Sequence, residues 1–223
     1  MYVVNGEPLG LVYEISDGGA HGKVVALKAH RDLNLWYRTG LPYDEIHPED
    51  PNNVGVIARS ETDGQENMKA YKQIPDWKTH YPVAAYVSDL NDENGNPGWY
   101  LPAIKEVQAM VGWIDGEVLS PDGEAGQEPS EAMKEKRKAI NQLIVDNGGN
   151  EFYFYGYDVS FIIDQTNAWE ADYFNRIYTS TETDYQVHPM VFKFYLRNGW
   201  WETMHVYGDL AGSYGEVRPF LAF

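Results

Sequence analysis

The 223-residue sequence contains no cysteine. This absence excludes disulfide bonds, thiolate metal sites and cysteine nucleophiles. It leaves the cellular compartment open, because exported bacterial proteins often lack cysteine as well.

Long hydrophobic runs are also missing. No segment approaches the roughly 20 consecutive apolar residues that a membrane-spanning helix needs. The first residues have neither the basic nor the apolar part of an export signal. We therefore expect that the chain is either not exported or follows an export signal upstream of residue 1.

Basic residues are scarce: 17 lysines and arginines stand against 34 aspartates and glutamates, which gives a formal net charge of −17. Such a field repels phosphate backbones and anionic membrane surfaces, so we expect no nucleic-acid partner and no membrane insertion. Hydrophobic residues make up 43% of the chain and aromatic residues 14%. This composition is typical of a folded protein with a sizeable core.

The first part of the chain predicts strands followed by a helix. Residues 9–16 and 23–27 fit two strands connected by a glycine-rich turn. Asp63, with Glu66 three residues later, forms a capping-box pattern that predicts a helix as far as about Tyr71.

The next segment is ambiguous. Residues 81–87 are apolar and fit either a helix or a buried strand. Residues 89–98 are polar and indicate a loop, whose oxygen atoms at 89–96 suit calcium. Because Gly95 has the wrong offset for an EF-hand, we interpret residues 89–96 as a solvated turn and predict no metal there. The histidines form no zinc pattern either: His21, His30, His47, His80, His188 and His205.

The segment that begins at Gly98 is the strongest scaffold signal. A glycine turn leads into an aromatic and aliphatic run that includes Trp99 and Leu101. Pro102 fits the first position of a helix, where its fixed φ is suitable and its missing N–H costs nothing. Apolar residues then recur at i, i+3 and i+7 and predict a core-facing helix: Ile104, Val107 and Val111.

A further helix is predicted from Ser130, a good N-cap, to the glycines at 148 and 149. Its apolar residues have heptad-like spacing: Met133, Ile140, Leu143 and Ile144. We interpret its basic cluster as a solvated face rather than a binding patch: Lys134, Lys136, Arg137 and Lys138.

The last third predicts strands. Asn198 and Gly199, between residues 190–196 and 200–206, are the strongest hairpin signal in the chain. Pro219, in residues 217–223, indicates an edge strand or the start of a strand. Without repeats or internal linkers, the sequence predicts one α+β domain that spans residues 1–223.

Several of these segments, taken in order, resemble a known bacterial family. The matching positions are residues 10–19 and 22–27; Thr62, Asp63, Gly64 and Asn67; residues 81–85; residues 98–102 with Glu106; Ile140, Asn141, Gly148 and Gly149; residues 179–182; and residues 217–223. The chain is similar to the Lcl C-terminal-type domain, a family of unknown function in the C-type-lectin-like and sulfatase-modifying-factor fold group. The resemblance implies mixed β-sheets, two or three helices, long irregular loops and N- and C-terminal strands that come together.

Family members look like parts of surface or secreted bacterial proteins, and some serve adhesion. The oxidases of the fold group depend on cysteine, which this chain lacks. Ala103 replaces the serine or threonine that the family uses to cap the helix. Because losing such a cap costs about 1 kcal/mol, the helix must rely on packing or on another partner. Residues 151–175 look longer and more aromatic than in the family.

Glu182 and Arg218 are the charged residues inside otherwise structural motifs. Because a buried arginine needs a carboxylate or several carbonyl groups, we interpret the two as a scaffold ion pair or hydrogen-bond hub. A binding pair is the alternative. The predicted structural residues are Trp99, Leu101, Pro102, Glu106, Glu182 and Arg218.

No catalytic motif stands out. The sequence has no Gly-x-Ser-x-Gly elbow, phosphate loop or dinucleotide fingerprint, and no carboxylate pair is distinguished from the others. We predict no catalytic residues, no enzyme activity and no cofactor.

Aromatic residues are the best candidates for a binding surface. The seven tryptophans and seventeen tyrosines exceed what a core of this size needs. Exposed Trp and Tyr rings suit sugar rings or protein hot spots, although rings that pack the loops are the alternative. The predicted ligand-binding residues are Trp169, Tyr173, Trp200, Trp201 and Tyr207. As strand neighbours, Trp200 and Trp201 are expected to point to opposite faces.

We therefore expect a non-catalytic bacterial protein, displayed at the cell surface or secreted, that recognises a glycan or a surface protein through aromatic-rich loops. One alternative is a phage or mobile-element receptor-binding protein of the same fold. A second alternative is a glycan-processing hydrolase. The sequence does not indicate the oligomeric state.

Overall fold

The computed structural model describes residues 1–31, 57–93, 98–116, 130–152, 176–182, 189–194, 201–205 and 216–223. For residues 92–93, 176, 189–194 and 201–205 it describes the backbone alone. In this part of the chain the fold is α+β, with two antiparallel sheets and five helices.

The first sheet contains both ends of the sequence. Its four antiparallel strands, in spatial order, are β1 (Tyr2–Val4), β2 (Glu7–Ser16), β3 (His21–Ala26) and β7 (Phe220–Ala222). Lys23 lies opposite Ala222 and Val25 lies opposite Phe220. The predicted meeting of the N- and C-terminal strands is confirmed. β7 is the last strand in this order and begins directly after Pro219, as the proline indicates. On its other side, Phe220 exchanges two backbone hydrogen bonds with Tyr100.

Two tight turns connect the first three strands of this sheet. The predicted turn between β2 and β3 is present, with Gly18 and Gly19 at φ values of 67° and 100°. The turn between β1 and β2 is not among the predictions. There, Asn5 and Gly6 have φ values of 53° and 86°, as a type I′ hairpin requires. The Asn-Gly pair is the sequence signal that could have predicted this hairpin, whereas β1 is too short to show an alternating pattern.

The second sheet is built from the last third of the chain. Its antiparallel strands are β4 (Arg176–Glu182), β5 (Pro189–Phe194) and β6 (Trp201–His205), in that order. The predicted pairing of β5 with β6 is confirmed by the register from Met190–His205 to Phe194–Trp201, while the turn residues Asn198 and Gly199 lie outside the described residues. A parallel bridge between Ile177 and Glu216 links this sheet to the segment before β7; it is the one parallel pairing among the described residues, where mixed sheets were expected.

Five helices occur in the described residues, which is more than the two or three expected. They are α1 (Gly64–Tyr71), α2 (Trp77–His80), α3 (Pro82–Glu93), α4 (Ile104–Asp115) and α5 (Glu131–Asp146). None of them is long and apolar enough to cross a membrane.

The helix that begins after Asp63 is confirmed. The Asp63 carboxylate accepts a hydrogen bond from the backbone N–H of Glu66 at 2.9 Å. The N–H of Asp63 donates to Ser60 Oγ at 3.0 Å, so a serine replaces the glutamate expected in the capping box.

The ambiguous run at residues 81–87 is helical from Pro82 onwards, and Val83, Ala84 and Val87 form one buried stripe of α3. The prediction of a loop at residues 89–98 is wrong for residues 89–93, which continue α3. Asn91 remains in the helix, and its side-chain amide binds the Trp99 backbone on both sides: the Trp99 N–H donates to Oδ1 at 2.6 Å, and Nδ2 donates to the Trp99 carbonyl at 2.7 Å.

α4 lies at the centre of the core, packed against β2, β4 and β5. Its predicted apolar stripe is confirmed, since Ile104, Val107 and Val111 are all buried. Pro102, however, is not the first helical residue: the helix begins at Ile104 after Ala103, whose ψ is 161°. The Pro102 carbonyl instead accepts a hydrogen bond from the Ser180 N–H at 2.7 Å, which ties Pro102 to β4.

α5 differs from its prediction in two residues. Ser130 is its N-cap, accepting a hydrogen bond from the Met133 N–H at 3.3 Å. Leu143, expected in the apolar stripe, is 42% exposed, whereas Arg137, expected on the solvated face, is 2% exposed. The Arg137 guanidinium forms two 2.8 Å hydrogen bonds to the buried Asp115 carboxylate. The partner lies on α4, so the periodicity of α5 alone could not place Arg137 inside.

Candidate functional site

Glu106 is the centre of a buried hydrogen-bond cluster. Its Oε1 accepts from the Tyr100 hydroxyl at 2.8 Å and from Lys23 Nζ at 3.1 Å. Its Oε2 accepts from the backbone N–H groups of Ala103 at 2.9 Å and Gly64 at 3.0 Å. These four bonds join β3, α1 and α4 at one carboxylate, which gives Glu106 a structural place in the fold.

Tyr13 lies beside this cluster, with its hydroxyl buried and without a hydrogen-bond partner in the described part of the chain. Burial, followed by the charge of Glu106, raises the pKa of both Tyr13 and Tyr100 far above the ordinary value. Neither phenol can act as a base near neutral pH.

The N-terminus of α4 receives its cap from another element. Ala103 has no side-chain acceptor, and the N–H of Ile104 donates to Thr181 Oγ1 of β4 at 3.1 Å. The N–H of Lys105 donates to the Glu61 carbonyl at 2.8 Å. These partners replace the helix cap that the family resemblance places at position 103.

Glu182 holds the end of β4 against residues 57 and 58. Its Oε2 accepts from the N–H of Ile57 at 2.9 Å and from that of Ala58 at 3.2 Å. The Glu182 N–H donates to the Ala58 carbonyl at 2.8 Å. Glu182 is 4% exposed, and these described contacts are all with the backbone.

Arg218 is fully buried and joins β3 to the chain after α5. Its guanidinium donates to the Glu216 carboxylate and, at 3.1 Å, to the carbonyls of Ala26 and Leu27. It also lies over the Phe152 ring, 3.9 Å from the centroid. The described carboxylate partner of Arg218 is therefore Glu216, whereas the sequence hypothesis paired it with Glu182.

Trp99 and Leu101, two of the predicted structural residues, are both buried.

Two candidate calcium ligands already have protein partners: Asn91 binds the Trp99 backbone, and Asp89 pairs with Lys78. Across the described ranges, no group of three or more histidine and acidic side chains is placed to hold a metal ion. His47 and His188 lie outside those ranges.

The predicted aromatic binding residues fall mostly outside the described residues: Trp169, Tyr173, Trp200 and Tyr207. Trp201 is the first residue of β6, with its backbone alone described. The expectation that Trp200 and Trp201 point to opposite faces therefore stays a prediction.

The strand register does show where the described chain reaches these aromatics. Arg176, at the start of β4, pairs with Lys193, which pairs in turn with Glu202 near the start of β6. Both strands thus begin at the same end of the sheet. His205, the last residue of β6, lies at the other end, opposite Met190.

No family model, no curated protein and no solved structure matches this chain. The resemblance to the Lcl C-terminal-type domain stays a prediction from the sequence motifs.

Proposed function

We propose that the chain is a non-catalytic bacterial binding protein, displayed at the cell surface or secreted, that recognises a glycan or a surface protein. We further propose that the α+β fold is C-type-lectin-like. The sheet that contains both chain ends supports the second proposal. The aromatic-rich segments around the second sheet would supply the binding surface.

The observation that carries this proposal is the common end at which β4 and β6 begin. Arg176 and Glu202 lie on either side of Lys193, so two strand spacings of about 4.8 Å separate their backbones by roughly 10 Å. Trp201 is the first residue of β6, and Trp200 directly precedes it in the sequence. Tyr173 precedes Arg176 by three residues, and a chain of that length spans at most about 10 Å.

This sheet end therefore gathers attachment points for most of the predicted aromatics. We call it the aromatic end, defined by Arg176, Lys193 and Trp201. Trp169 and Tyr173 lead into it, and Trp200 and Trp201 lead out of it. Tyr207 follows the opposite end of β6, so we propose that it is not part of the same contact surface.

The buried carboxylates support a non-catalytic function. Glu106, Asp115, Glu182 and Glu216 are all hydrogen-bonded to backbone groups or basic side chains of the scaffold. A general acid or base must instead reach substrate.

A glycan array with the full chain tests the proposal, followed by titration of the strongest hit. Because Trp200 and Trp201 are expected to point to opposite faces, only one of the variants Trp200→Ala and Trp201→Ala removes a ring that contacts the ligand. That variant is expected to weaken binding at least tenfold. Tyr207→Ala is the matched control and is expected to change affinity less than twofold. Equal losses in all three variants would contradict the division between the two ends, and release of cleaved product would favour a hydrolase.

A further inference from the structure

An open cleft of about 450 Å³ lies between the β1–β2 hairpin, the end of β3, α3 and the C-terminal end of α5. Its apolar lining includes Leu9, Leu27, Leu90 and Pro219, with the aromatic residues Tyr86 and Trp99. The polar lining includes Glu7, Lys28 and Asn147. All of these residues belong to the described part of the chain.

The aromatic lining is held in place before any ligand binds. Asn91 fixes the Trp99 backbone with two hydrogen bonds. The Trp99 ring lies over Gly10, where a Cβ atom would be 3.4 Å from the ring carbon Cη2. Tyr86 stacks on His30 with ring centroids 4.2 Å apart. A preformed lining loses little conformational entropy on binding.

The side of the cleft formed by α5 is equally fixed. Gly148 ends the helix with a φ of 75°, and the Gly149 N–H donates to the Ile144 carbonyl at 2.9 Å. The Asn150 N–H then donates to the Leu27 carbonyl at 2.9 Å. These bonds hold Asn147 at the rim next to β3.

The charges at the rim indicate a neutral ligand. Glu7 and Lys28 have opposite charges and are both exposed, so the rim has no net charge although the whole chain carries −17. The cleft volume falls within the range of about 300–1,000 Å³ that is usual for small-molecule sites. Aromatic and aliphatic surface beside hydrogen-bonding side chains matches a sugar, which has apolar C–H faces and a polar edge.

We propose that this cleft binds a neutral mono- or disaccharide, with an apolar face of the sugar towards Tyr86 and hydroxyl groups towards Glu7, Lys28 and Asn147. The site does not include the aromatic end of the second sheet. It would therefore bind sugar whether or not the aromatic end has a ligand.

Saturation-transfer NMR on the full chain tests the proposal with glucose, galactose, mannose, N-acetylglucosamine, maltose and cellobiose. Leucine serves as a zwitterionic probe, because opposite charges at a rim also suit an amino acid. The strongest sugar is then titrated against Leu90→Trp, which fills the cleft, and Ile15→Trp, a control substitution at an exposed residue near the end of β2 that does not line the cleft. We expect at least a tenfold loss of affinity for Leu90→Trp and less than a twofold change for Ile15→Trp.

Rim variants provide a second test that does not disturb the core. Glu7→Gln and Lys28→Met are each expected to lower the affinity for the sugar three- to tenfold. Binding of none of the six sugars, preferential binding of leucine, or equal affinity of Leu90→Trp and the unmodified chain would overturn the proposal. If only Trp201→Ala lowered the affinity for the sugar, the sugar would be assigned to the aromatic end instead.

Discussion

Thr181 in β4 caps a helix that begins 77 residues earlier: its Oγ1 accepts a hydrogen bond from the N–H of Ile104 at 3.1 Å. The same hydroxyl donates to the Ser60 carbonyl at 2.9 Å. A helix N-terminus leaves four N–H groups without intrahelical partners. Thr181 satisfies one of them in a place where Ala103 cannot, and it thereby couples β4 to α4.

Replacing Thr181 by valine is expected to lower the free energy of unfolding by about 1–3 kcal/mol, because the buried N–H of Ile104 loses its partner and the Ser60 carbonyl keeps only its bond from Asn67. Thr181→Ser keeps the hydroxyl and is expected to lose less than half as much. Urea unfolding of both variants measures the difference. A loss in Thr181→Ser as large as that in Thr181→Val would contradict this expectation, because it would mean that the methyl group of Thr181 contributes as much stability as its hydroxyl.

The tyrosines near Glu106 form a matched pair for testing buried hydroxyls. The Tyr100 hydroxyl donates to Glu106, whereas the Tyr13 hydroxyl is buried without a partner in the described part of the chain. We expect Tyr100→Phe to lower the free energy of unfolding by about 1.5–3 kcal/mol, as for hydrogen bonds to charged groups. Tyr13→Phe is expected to leave it unchanged or raise it by up to about 1 kcal/mol. Thermal unfolding would contradict this if Tyr13→Phe proved the more damaging variant.

The same tyrosines predict a loss of stability at high pH. Burial raises the pKa of Tyr13 above the 10.0 of an unfolded tyrosine, so above about pH 10 the folded chain retains a proton that the unfolded chain releases. The stabilisation is complete below pH 10 and declines above it by about 1.4 kcal/mol per pH unit for each such tyrosine. Urea unfolding between pH 9 and 11 should therefore show a shallower decline for Tyr13→Phe than for the unmodified chain. Parallel curves would contradict the buried state of Tyr13.

Arg218→Ala is expected to lower the melting temperature before it affects any ligand. It removes the bonds to Ala26 and Leu27 and leaves the buried Glu216 with Arg31 as its remaining described cation. Breaking a buried ion pair from one side costs about 3–5 kcal/mol. Lys138→Ala, at an exposed pair with Glu135, is the control and is expected to change stability by less than about 0.5 kcal/mol. An unchanged melting temperature in Arg218→Ala would contradict a structural role for Arg218.

Arg137 provides a separate test of helix packing. Its bidentate pair with Asp115 fastens α5 to the end of α4, so Arg137→Met is expected to destabilise the fold by about 3–5 kcal/mol. The double variant Arg137→Met with Asp115→Leu is expected to recover much of that loss, because it leaves no buried charge. Urea midpoints of the two variants make the comparison, and a double variant less stable than Arg137→Met would contradict it.

Local patterns predicted much of this fold. The strands at residues 9–16 and 23–27, the cap at Asp63 and the apolar stripe of α4 each depend on residues close in sequence, and the structure shows all of them. The meeting of the chain ends depended on the family resemblance. The helical state of residues 81–87 could not be predicted, because their apolar run fits both the helical period and a buried strand.

The misplaced residues share one physical cause. Pro102 lies before the helix, where β4 binds its carbonyl, and Arg137 is buried against Asp115 on another helix. Both depend on partners distant in sequence, which periodicity does not report. The cleft was missed for the same reason: Glu7, Tyr86 and Asn147 meet only after the chain has folded.

The rings of Tyr2 and Phe223 stack with centroids 5.8 Å apart. Side chains from the first strand of the first sheet and from the residue after its last strand therefore meet over one face, although β1 and β7 stand at opposite ends of the strand order, and a flexible linker could join the two ends. Joining them and opening the chain at the exposed glycines 18 and 19 would give a circular permutant with every strand pairing of that sheet intact.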